Sequence, residues 1–232
     1  MTFYHCTSDI FAKSILENGL GKINPIFDYK FLDLLSYLFD LAKKTLTENE
    51  GFRKLKFTTE LMINQEIKFV DEKEFKTDVL NFKHDGIFLT LGDRAAITHS
   101  HYNKYGSEVL NRIMQIQSLI NENDISSNIP KELNPLKIEE LINYKPKPIF
   151  IKIKKLDSKY LLNNRNIPMY GAIEKIEEQL KTTSENVRFS YKNSTVFKYT
   201  KPINNRDLVV YELDYDGHPI DEDFVYYLTE IK

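Results

Sequence analysis

The first twenty residues constrain this chain more than any other stretch. Tyr4, His5, Cys6 and Thr7 close a short apolar run, and Phe11, Ala12, Ile15 and Leu16 recur at helical spacing before Gly19 and Leu20. The run reads as a strand over 2–6 that brings a histidine and a hydroxyl to its end. Ser8 or Asp9 can cap a helix over 9–18, and Gly19 ends that helix as a residue free to take positive φ. A strand backed at once by its own short helix is where a ligand pocket can begin.

Composition narrows the class. The 232 residues suffice for a large buried core, and the formal net charge of -2 argues against a general polyanion binder. The single cysteine, Cys6, forms no internal disulfide, which fits a reducing compartment. Strand alternation turns Cys6 away from His5 and Thr7, so a small buried filler is favoured over a nucleophile. His99 and His101 are close in sequence, but no cysteine pair or His-Glu-x-x-His pattern accompanies them, so no metal site is expected. Met1 leads straight into a strand and no segment nears the ~20 apolar residues of a membrane helix. The expectation is a protein of the cytoplasm, or one delivered into a host cytosol, with no membrane partner.

Along the chain, residues 28–47 carry apolar positions at helical spacing with a wide stripe, and residues 52–80 mix short apolar and charged runs with a strand signal at 66–70. Asp85 and Gly86 turn into a compact strand, Ile87-Phe88-Leu89-Thr90, and a helix follows from Arg94 to about Tyr102. Residues 107–122 and 137–143 read as helices, with loop between. In 149–154 apolar and basic residues alternate, so Lys152 and Lys154 belong to a solvent face that Lys147 and Lys155 extend. A polar helix is expected at 170–181, and strands at 187–191, 195–200, 207–213 and 223–231, the last two flanking the turn pair Asp216-Gly217. The whole reads as one α+β domain with helical insertions at about 26–80 and 104–145.

Three features then fall in a meaningful order: Tyr-His-x-Thr with its helix, Gly-Ile-Phe-Leu-Thr running into Arg94-Ala95-Ala96, and a late run of strands. This order resembles the ADP-ribosyltransferase fold, in the His-Tyr-Glu branch of diphtheria-toxin-like and poly(ADP-ribose)-polymerase-like enzymes. The resemblance covers the motif strands and not the insertions. It implies split antiparallel sheets around an NAD cleft, with NAD as cosubstrate. It implies that His5 hydrogen-bonds a ribose, Thr7 supports that contact, and Phe88 stacks on nicotinamide where the family has tyrosine. His99 is the matching second ring, since Thr98 cannot stack and Tyr102 is a turn further on. The acid departs from the pattern: residues 193–203 contain none, and either Asp207, before Leu-Val-Val-Tyr-Glu, or Glu185 stands in for the family's glutamate.

The resemblance implies a mono-ADP-ribosyltransferase acting as toxin, effector or defence factor. Its acceptor would be a protein or nucleic acid, and an inhibitor or antitoxin protein is a further expected partner. The alternative is an inactive domain of the same fold that binds NAD, a nucleotide or a partner protein. A histidine at a strand end, two solvated carboxylates and a core phenylalanine are also ordinary features. Only their order sets them apart.

Overall fold

The computed structural model describes residues 1–71, 74–79 and 83–231, so the insertion boundary expected at about 80 lies outside the described residues. In chain order come β1 (Phe3–Ser8), α1 (Ala12–Asn18), α2 (Pro25–Asp28), α3 (Phe31–Thr45), α4 (Glu50–Asn64), β2 (Glu66–Asp71) and β3 (Glu74–Val79). Then follow β4 (Ile87–Thr90), α5 (Asp93–Tyr102), α6 (Glu108–Glu122), α7 (Ile138–Leu141), β5 (Pro148–Ile153) and β6 (Leu161–Asn163). The chain ends with α8 (Ala172–Thr182), α9 (Glu185–Ser194), β7 (Val196–Tyr199), β8 (Leu208–Asp216) and β9 (Val225–Glu230). Helices and antiparallel strands are mixed, as an α+β chain requires. The chain forms two compact units, one of Met1–Ile23, Asp85–Ser107 and Pro146–Lys232, the other of Asn24–His84 and Glu108–Lys145.

The first unit is built on an antiparallel sheet in the order β6-β7-β4-β1-β5-β8-β9. It is joined unevenly. β1 pairs β5 along its whole length, from Phe3↔Ile153 to Ser8↔Pro148, whereas β1 meets β4 at Tyr4↔Thr90 alone. Residues paired across strands share a face. Phe3, Ile151, Ile153, Leu208 and Val210 therefore bury one face together, where α1 contributes Ile15. On the other face Cys6, Phe150 and Leu213 pack with Ala96 and Ile97 of α5 and with Phe224. Each large side chain among them, such as Ile97, Phe150 or Leu213, contributes about 1.5–3 kcal/mol on full burial.

The first helix begins as read. The Ser8 hydroxyl accepts from the Ile10 amide, a 3-10 turn over Asp9–Phe11 runs into α1, and Gly19 ends it at φ 90. The expected strand at 187–191 is instead α9. Ser184 and Glu185 open this helix, and its apolar Val187 and Phe189 stay exposed, so the stretch has no core face to bury as a strand. The Asp216-Gly217 turn is longer than a two-residue hairpin. β8 and β9 pair from Asp216↔Val225, and the connection between them carries the buried Phe224.

The second unit is mostly helical among the described residues. Its core is Phe31, Leu34, Leu35, Leu38 and Ala42 of α3 against Leu110, Ile113 and Ile116 of α6. α4 adds Phe52, Thr59 and Met62, and Arg112 donates through Nη1 to the Leu55 carbonyl at 3.0 Å and to the Thr58 and Thr59 hydroxyls. β2 and β3 pair as a hairpin. No helix among the described residues is long and apolar enough to cross a membrane.

Candidate functional site

β1 and β4 share the single registered pair Tyr4↔Thr90 and part beyond it. His5 follows Tyr4 on β1, and its Nδ1 is 2.9 Å from the Phe88 carbonyl oxygen of β4. A carbonyl oxygen only accepts, so Nδ1 carries the proton and Nε2 is left as an acceptor. Burial is the main force that drives the imidazole pKa down to about 4, and His99 adds to it against the opposing pull of the Phe88 carbonyl. No carboxylate takes part in that shift. At neutral pH His5 is uncharged, in one tautomer, and fixed to the facing strand.

The rest of the predicted set divides. Phe88 is 37% exposed, because strand alternation sends Ile87 and Leu89 to the core and Phe88 out. α5 packs on β1 and holds His99, exposed in its last turn, close enough to act on the His5 charge, with Nδ1 3.3 Å from Asn103 Nδ2. His5, Phe88 and His99 are thus brought to one region. Thr98 bonds back to the Arg94 carbonyl, and the Tyr102 hydroxyl is 3.3 Å from His218 Nε2. Thr7 is buried, and its hydroxyl donates at 3.2 Å to the carbonyl of Gly106, so it fixes the loop that follows α5. Cys6 is buried and its thiol pKa is pushed well up, first by burial and then by Asp93, which makes it unreactive filler.

The two candidate acids lie on different elements from His5 and Phe88. Glu185 is exposed in the first turn of α9. Asp207 precedes β8, and its carbonyl accepts from the Lys154 amide at 2.8 Å. His5 is level with Ile151, and Ile151 with Val210, three residues beyond Asp207. At ~3.3 Å per residue and ~4.8 Å per strand, Asp207 is roughly 14 Å from His5 across the sheet.

Sequence reading passed over several groups that the sheet organises. Pairing puts Glu212 on the His5–Thr7 face, through Thr7↔Ile149 and Ile149↔Glu212, and it is exposed there. The signal was its alternation with Val210. Asp93 accepts a short hydrogen bond from the Tyr226 hydroxyl and a 2.7 Å bond from the Arg94 amide, tying the start of α5 to β9. Burial and this bond raise the Tyr226 pKa. His101 meets the Tyr215 hydroxyl at 3.0 Å and packs edge-on against His218 at 4.6 Å between ring centroids. Contacts of this kind join residues over a hundred positions apart, so no local pattern announces them. Among the described residues, no group of three or more His, Cys, Asp or Glu is arranged to hold a metal ion. Comparison with known protein families, curated proteins and solved structures found no match.

Proposed function

We propose that the chain binds NAD where β1 and β4 part and transfers its ADP-ribose to a protein or nucleic-acid acceptor, as a toxin, effector or defence factor would. One observation carries the reading: a neutral His5 on β1, locked to the Phe88 carbonyl with Nε2 left as acceptor, next to a strand, β4, that exposes the Phe88 ring. These groups fit NAD. An imidazole acceptor suits a ribose hydroxyl, and a ring face suits the flat nicotinamide. NAD supplies the bond to be broken, between nicotinamide and ribose. His5 holds the sugar, Phe88 and His99 present rings, and Thr7 fixes the neighbouring loop, so the work of these residues is positioning.

A second reading, NAD binding without turnover, is favoured by the separation of Asp207 from His5. Nicotinamide release and NAD binding, measured side by side, decide the matter. For an enzyme, His5→Ala lowers release by roughly 100-fold or more, and Asp207→Asn lowers kcat while NAD affinity stays. Saturable NAD binding with no release supports the second reading. Absence of NAD binding in the wild type overturns both.

A further inference from the structure

A cavity of about 350 Å³ opens in the first unit on the other side of the Tyr4↔Thr90 pair from His5 and Phe88. Its walls come from the start of β1, the turn after β4, and the helices α8 and α9. Three cations from two helices line it: Lys181 in the last turn of α8, and Arg188 and Lys192 on α9. The single carboxylate in the lining, Glu177, has the Met1 nitrogen 3.2 Å from Oε1. Among the described residues, none of the three cations is ion-paired.

Arg188 is the most informative of the three. It is half-buried, and Nη2 donates to the Thr183 carbonyl at 3.0 Å, which fixes the plane of the guanidinium. Its Nε is buried with no hydrogen-bond partner. A guanidinium nitrogen buried without a partner is costly to keep where no anion compensates it. Convergent lysines beside a fixed guanidinium fork match the oxygens and charge of phosphate. The cavity is large enough to take a phosphate with a small group attached.

We infer that this cavity binds a phosphate group, carried by a phosphomonoester of nucleotide size or present as free phosphate. The site goes beyond the NAD reading and does not rest on it. Calorimetric titration of the full chain with inorganic phosphate and with adenosine monophosphate, at low ionic strength, tests it. Saturable binding is expected. The double variant Arg188→Gln/Lys192→Gln weakens it by roughly tenfold or more, with far-UV circular dichroism unchanged. Lys181→Gln, in an exposed last turn, gives a smaller loss in the same direction and serves if the double variant does not fold. His5→Ala binds phosphate as the wild type does. Tighter binding of the nucleotide supports the phosphomonoester as the source, and equal binding supports free phosphate. The inference is overturned if neither probe saturates, if the cation variants bind as the wild type, or if His5→Ala abolishes phosphate binding, which would place the anion at His5.

Discussion

His5 holds its proton on Nδ1 for the Phe88 carbonyl and resists a second one, and this has a thermodynamic consequence. Its pKa falls from 6.5 to about 4 in the folded chain, so the unfolded chain binds the proton more readily between those values. Stability supplied by the neutral ring is complete above pH ~6.5 and is lost as pH drops toward ~4, by up to about 3 kcal/mol. His101, also lowered by burial and by His218, acts in the same direction. Thermal melts from pH 7.5 to 4.5 check this: the wild type loses stability on acidification more steeply than His5→Gln, and equal slopes would refute the assignment. The placement of Phe88 on β4 and of His99 on α5 was legible at this scale because each sits at a fixed offset in a short motif. The acid was not, since its position relative to His5 depends on two strand registers, β1 on β5 and β5 on β8, that no local pattern encodes.

At the scale of elements, the loop after α5 is pinned to β1 by a glycine. Gly106 has φ +91, and a Cβ there would lie 2.5 Å from the Thr7 hydroxyl and 2.9 Å from the Ser8 amide. Gly106→Ala therefore strains the backbone and breaks the Thr7 bond, costing about 1–3 kcal/mol in urea denaturation. An unchanged midpoint would show that the loop is not held there. The strands β1, β4, β5 and β8 could be read from alternation and turn residues, and α3 and α6 from wide apolar stripes. α4 could not, because its buried residues are only Phe52, Thr59 and Met62, one of them polar, on an otherwise charged surface. α9 was misread because Val187, Phe189 and Tyr191 alternate as a strand would, while Ser184 and Glu185, which start a helix, were outweighed.

At the scale of the whole chain, two units have separate cores, one where β1 and β5 pair and one where α3 meets α6. Native-state hydrogen exchange should show two sets of slow amides, in β1 with β5 and in α3 with α6. β9, paired on one side only and largely exposed, should exchange much faster. Protection of β9 equal to that of β5 would contradict this topology. The amide of Tyr4 belongs to neither extreme. Three strands, β6, β7 and β4, hang from the other four by the single rung between Tyr4 and Thr90. One rung resists torsion far less than the six between β1 and β5, so backbone pairing alone holds the two strand blocks least firmly at this seam. The hydrogen bond from His5 Nδ1 to the Phe88 carbonyl is a second tie across that seam, supplied by a side chain and not by the strand ladder.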